Sequence, residues 1–240
     1  MSISLVATSH GTDVPAARTA ISALVSAVAE AAPHLDVREA FVDVQLPRVD
    51  TAVDLVDGLS VVVPLLLAPG FHVRVDIQGV TDRPWVAAAA TLGPDDRLTT
   101  TMLGRLAEAG ATRDDVLVLG AAGSTDVRAR AGVEVAARML AESWGAPVEV
   151  GYLGGTGVPV ADVVRRAAAT GRRVVTASYL VAPGFFFDRL CATGSDIVTR
   201  PLLDGAVVDP GLVSLVLDRF AEAAGRLDWA SAGARHAAVS

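Results

Sequence analysis

Two histidines and one aspartate are the residues of this sequence best suited to chemistry. His10 stands in Ser9-His10-Gly11-Thr12-Asp13, Asp43 closes Phe41-Val42-Asp43, and His72 lies inside LAPGFHVRVD at 67–76. Two imidazoles and a carboxylate suit a borderline divalent metal, held in an open site rather than a closed structural one. An imidazole also takes up protons near neutral pH. Each residue alone has a plainer explanation. A His-Gly pair is an ordinary turn, an aspartate at a strand end is a solvated cap, and a histidine in an apolar phrase is a hydrogen-bonded core side chain.

Internal repetition separates these explanations. VLVLGAAGST (116–125) lines up with SLVATSHGTD (4–13), and VGYLGGTGVP (150–159) follows REAFVDVQLP (38–47) after a small shift. VAPGFFFDRL (181–190) copies LAPGFHVRVD, and Arg219-Phe-Ala-Glu-Ala answers Arg105-Leu-Ala-Glu-Ala. A period this long marks a duplicated domain rather than a solenoid. In the alignment His10 meets Ala122, Asp43 meets Gly154 and His72 meets Phe186. The glycines, prolines and apolar frame persist, while three polar positions survive only in the first half. Structural duties are common to both halves; the chemistry belongs to one.

The elements that must position these residues alternate. Apolar runs at 3–8, 36–44, 60–68 and 85–92 read as strands, with helices over 16–31, 49–57 and 98–109. Thr12 or Asp13 is the expected cap of the first helix, ahead of Pro15. Strands separated by helices indicate parallel βαβ units, and so an α/β fold of two similar doubly wound sheets. With strand order 2-1-3-4, all three polar residues fall just past carboxyl ends of strands, where ligands of such sheets bind. The expected domains are 1–112, carrying the metal site, and 113–228, its repeat lacking the ligands; 229–240 reads as a tail.

Composition narrows the partners. The net charge is −7, and all 20 cations are arginines. An acidic chain without a basic run argues against nucleic acid. Any anionic ligand must then be gripped by local arginines, whose planar forks match carboxylates. The longest apolar run, 59–71, is too short and too broken by proline to span a membrane. No secretory signal is evident and the one cysteine, Cys191, cannot form an internal disulfide, so a cytoplasmic location is expected. Cys191 is assigned to the core. His34 and His236 are assigned no chemistry. Gly154-Gly155-Thr156-Gly157 lacks the lysine and spacing of a phosphate loop.

Together, a strand leading into SHGT, an acidic FVD segment and APGFHVRVDI resemble the sirohydrochlorin chelatase family. The likeness runs through both halves. It implies a class II chelatase fold, two α/β domains facing a cleft, and ATP-independent insertion of a divalent metal into sirohydrochlorin. His10 and His72 match the family's two histidines. Asp43 stands where many members carry glutamate, as third ligand or proton acceptor, and Arg74 is a candidate contact for substrate carboxylates. No tightly bound cofactor is implied: Fe2+ or Co2+ is a substrate, with iron giving sirohaem and cobalt leading toward cobalamin. The partners are sirohydrochlorin and the metal, with no nucleic acid or membrane, in a monomer or homodimer. A non-catalytic metal or tetrapyrrole carrier, or a plain α/β binding protein, remains the alternative of a different class.

Overall fold

The computed structural model describes residues 3–68, 70, 77–205 and 207–227. Its first sheet comprises β1 (Ile3–Ser9), β2 (Asp36–Phe41), β3 (Leu59–Pro64) and β4 (Val86–Ala88), all parallel, in the order β2-β1-β3-β4. The second comprises β5 (Val116–Ala121), β6 (Val148–Tyr152), β7 (Val174–Tyr179) and β8 (Ile197–Val198), in the order β6-β5-β7-β8. Both orders are the expected 2-1-3-4. Central strands of such sheets are covered on both faces and so read as unbroken apolar runs. Leu5, Val6, Val61, Val62 and Val63 are accordingly buried, as are Leu117, Val118, Leu119, Val174 and Val175.

Helices cover these faces in matching ways. In the first unit α1 (Pro15–Ala31) and α2 (Val49–Asp54) follow β1 and β2. Val49, Ala52, Val53 and Val56 cluster with Val6, Val42 and Val62 on one face of the sheet. The second half repeats that cluster with Val160, Val163, Val164 and Ala167 against Val118, Leu153 and Val174. Three strands and the second helix end earlier than the sequence pattern implies: β2 at Phe41, β3 at Pro64, β4 at Ala88 and α2 at Asp54. The cap of α1 also differs. Val14 is the N-cap, with Pro15 opening the helix and no side-chain cap. Thr12 instead accepts from Val14 N–H (3.1 Å) and Asp13 pairs with Arg18 (3.0 Å), so both serve the turn.

The compact units do not follow the expected segments 1–112 and 113–228. Residues 3–66, 77–92 and 208–227 form one unit, and 93–205 with 67, 68, 70 and 207 form the other. The helix after the first sheet, α3 (Asp96–Glu108), packs on α4 (Val127–Trp144) and β7 in the second unit. After α5 (Val160–Ala168) and the short α6 (Phe185–Cys191), the last helix α7 (Pro210–Ala224) packs on α1, β3 and β4 of the first. The two halves thus exchange their final helices. The repeated arginines pin the exchange: Arg219 donates to the carbonyls of Thr91 (3.1 Å) and Leu92 (3.4 Å), while Arg105 donates to that of Leu202 (3.4 Å). Asp209 and Asp95 cap the two helices through Gly211 and Arg97 N–H.

One ion pair of the second unit sets an acid limit on its stability. Asp115, just before β5, accepts from Arg173 Nη2 (2.7 Å) and Thr112 N–H (2.7 Å). The Arg173 hydrogen bond, followed by that of Thr112, outweighs burial and holds the carboxyl at about 2, below its ordinary 3.8. A depressed carboxylate contributes its full stabilisation above the ordinary value and loses it as pH falls toward about 2. Stability of the second unit is therefore expected to fall between about pH 4 and about pH 2. Asp115→Asn should flatten that portion of a urea-midpoint-against-pH curve.

Candidate metal site

The sheet register builds the site from three strand ends. Ser9 pairs with Phe41 and Thr8 with Pro64, so β1, β2 and β3 finish level at one carboxyl edge. Pairing of the first two chains continues beyond the strands. Val42 N–H donates to Ser9 carbonyl (2.9 Å) and Asp43 N–H to His10 carbonyl (2.9 Å). Two further bonds stitch the loops together: Thr12 N–H to Gln45 Oε1 (2.9 Å) and Gln45 N–H to Asp43 carbonyl (2.6 Å). His10 and Asp43 are thereby held side by side by backbone, and both are exposed. An imidazole and a carboxylate on adjacent strand ends are donor groups of the kind a divalent cation takes.

Gly11 is what permits the approach. Its φ is +89°, and a Cβ there would run into the Asp43 carbonyl oxygen. Gly123 repeats this against the carbonyl of Gly154 (φ +88°), which aligns Asp43 with Gly154 structurally as well as in sequence. The glycine is therefore a requirement of the fold in both halves, and only the flanking side chains differ. Gly11→Ala combines left-handed strain of about 1–2 kcal/mol with a backbone collision. It should lower the urea midpoint markedly and reduce metal binding together with stability.

Asp43 is oriented by its neighbours. Its Oδ1 accepts Val44 N–H (2.8 Å), and the Arg48 guanidinium lies 4.0 Å away. The side chain remains 68% exposed, so its oxygens are open to a ligand. Val44 itself has φ +61°, the left-handed region a β-branched residue rarely enters. The second half places Gly155 (φ +68°) at that step and carries no such strain. Strain of this sort collects at working sites because surrounding structure must enforce it. Gln45, Val44 and Arg48 are absent from the sequence-derived site; their only sequence signal is proximity to Asp43.

His72 and Arg74 lie outside the described residues, so the structure gives neither a position. Among the described residues no group of three His, Cys, Asp or Glu side chains suits a metal. Of the expected trio, His10 and Asp43 are brought together. At the second unit's edge, Phe186, the sequence counterpart of His72, lies on α6 and is 43% exposed, while Phe187 packs on the core. Cys191 is exposed rather than buried: Leu190 takes the inward position on this short helix. Partial burial raises its thiol above the ordinary value, with the nearby Asp188 adding to the shift. Among the described residues no helix is long and apolar enough to cross a membrane.

Known proteins share this fold. The CbiX family model matches residues 4–109 and 116–193, skipping the link between the repeats. The structure is similar to SirB from Bacillus subtilis with Fe3+, at 19% identity and a TM-score of 0.78, covering 95% of this chain and 100% of that one. A cobalt complex of SirB from Bacillus subtilis subspecies spizizenii matches at 18% identity and 0.70, with the same coverage. CbiX, described as the terminal enzyme for siroheme biosynthesis in denitrifying bacteria, matches at 21% identity and 0.68, over 92% of this chain and 99% of its own. No curated protein matches the sequence.

Proposed function

The chain belongs to the CbiX family of sirohydrochlorin chelatases, and we propose that it inserts Fe2+ into sirohydrochlorin without ATP, giving sirohaem in the cytoplasm. The observation that carries the site assignment is the backbone-locked pairing of His10 with Asp43 at the sheet's carboxyl edge, stitched by the Asp43 N–H bond to His10 carbonyl (2.9 Å). His10 takes the metal through its imidazole, His72 supplies the second nitrogen, and Asp43 acts as third ligand or as acceptor of a pyrrole proton. A nitrogen lone pair cannot hold metal and proton together, so proton acceptance by His10 follows release of the ion. An open ligand set is what delivery requires, since four strong ligands would retain the metal.

Cobalt is the second reading, favoured by the cobalt complex of the structurally similar SirB. Imidazole and carboxylate accept either ion, and metal supply decides between them. The test is anaerobic: substoichiometric protein is mixed with sirohydrochlorin and Fe2+ or Co2+, and metallation is followed by absorbance against a protein-free control. Complete conversion over many turnovers supports the enzyme. A plateau at one equivalent identifies a carrier and overturns the proposal.

A further inference from the structure

The carboxyl edge of the second unit has lost the polar residues but has not become inert. Phe185 and Phe186 open α6 directly after the loop from β7, and they are 66% and 43% exposed. Their rings meet edge to face, with centroids 5.6 Å apart. Neither ring is needed in the core, which Phe187 and Leu190 already fill at this helix. Arg189 sits over the Phe185 ring at 5.6 Å, placing a guanidinium against the exposed aromatic. At the same sheet edge residues 154–159 are all exposed, and the first four are Gly-Gly-Thr-Gly. A Cβ at Gly155 would meet the Ser124 backbone, and one at Gly157 the Tyr152 ring, so this shelf stays flat. Val127 and Val158, 66% and 43% exposed, begin or precede the neighbouring helices at that edge.

Adjacent exposed aromatics are costly to leave in water and mark a surface that something covers. Aromatic faces backed by a guanidinium select a flat conjugated ligand carrying negative charge. We propose that Phe185 and Phe186 form an aromatic platform for the tetrapyrrole, one ring stacking on its face and the other meeting it edge-on, with Arg189 taking a peripheral carboxylate. This rests on the chelatase reading and gives the second half a part in it: the position that holds His72 in one repeat holds a stacking ring in the other. The charge pattern suits a polycarboxylate, because the chain as a whole carries −7 and only a local cation attracts one.

The test titrates metal-free protein with sirohydrochlorin under nitrogen and reads the dissociation constant from the absorbance change. The double variant Phe185→Ser/Phe186→Ser is expected to weaken binding at least about tenfold, in line with the cost of losing one or two stacking faces. Phe186→Tyr keeps the ring and should bind as the wild type does. Leu55→Ser, which alters an exposed apolar residue of the other unit, should also leave affinity unchanged. Melting temperatures near wild type confirm that the variants are folded; both phenylalanines are solvent-facing, so little stability is at stake. Wild-type affinity in the double variant overturns the platform even if metal insertion proceeds. Tight binding by the wild type that the double variant loses, without turnover on adding metal, keeps the platform and overturns the chelatase reading.

Discussion

Replacing His10 by alanine is expected to reduce the rate of metal insertion by at least about 100-fold and to leave the melting temperature almost unchanged. Loss of an outer-shell partner at a metal site typically costs 10–100-fold; loss of a direct ligand from a sparse set should exceed that. The stability side follows from exposure. His10 is solvent-facing, and the only hydrogen bond described for it, from Asp43 N–H at 2.9 Å, uses its backbone carbonyl, which alanine retains. Surface substitutions of this kind stay within about 0.5 kcal/mol. Asp43→Asn should have the smaller effect, since the amide oxygen can still accept Val44 N–H and face the ion without its charge. Calorimetric titration with Co2+ would separate binding from turnover. A His10→Ala protein that metallates sirohydrochlorin at the wild-type rate would remove the imidazole from the mechanism and leave only the fold.

Much of this arrangement is legible in the sequence because parallel sheets write themselves as repeated apolar runs. Strand order 2-1-3-4 in both halves, and the loss of His10 and Asp43 against Ala122 and Gly154, follow from the alignment and reappear in the register. The bridges Phe41–Arg48 and Tyr152–Pro159 set Arg48 opposite Pro159, the same offset that sets Asp43 opposite Gly154. The burial of Cys191 is where the sequence misleads: a seven-residue helix has a single inward row, and Leu190 occupies it.

The helix exchange is barely legible, and the reason is physical. Helices 96–108 and 210–224 carry the same cap aspartate and the same anchoring arginine, Asp95 with Arg105 and Asp209 with Arg219. Both sheets offer an equivalent valine-rich face. Periodicity records that a helix must bury an apolar stripe, but two near-identical acceptors leave its destination unspecified. Connection length is the single hint. Residues 89–95 and 199–209 are long enough to carry a helix away from the sheet it follows.

Ending the chain at residue 207 should therefore unfold the first unit, although every strand of that unit would still be present. The missing helix buries Leu212, Leu215, Val216 and Phe220. At about 1.5–3 kcal/mol for each large side chain, that is on the order of 6–12 kcal/mol, comparable with the roughly 5–15 kcal/mol that holds a whole domain together. Arg219 and Arg226, which donate to the carbonyls of Thr91, Leu92 and Ala88, would be lost as well. Ala88 ends the first sheet's last strand and Thr91 and Leu92 follow it, so β4 would lose its anchor along with its cover. The second unit keeps all its helices, including 96–108, and has no reason to unfold. Amide hydrogen exchange separates the two outcomes: protection should vanish over 3–9 and 59–64 while persisting over 116–121 and 174–179. Equal protection of both sheets in the shortened chain would mean that the first unit folds without its borrowed helix. The exchange would then be an ornament of connectivity rather than a condition of stability.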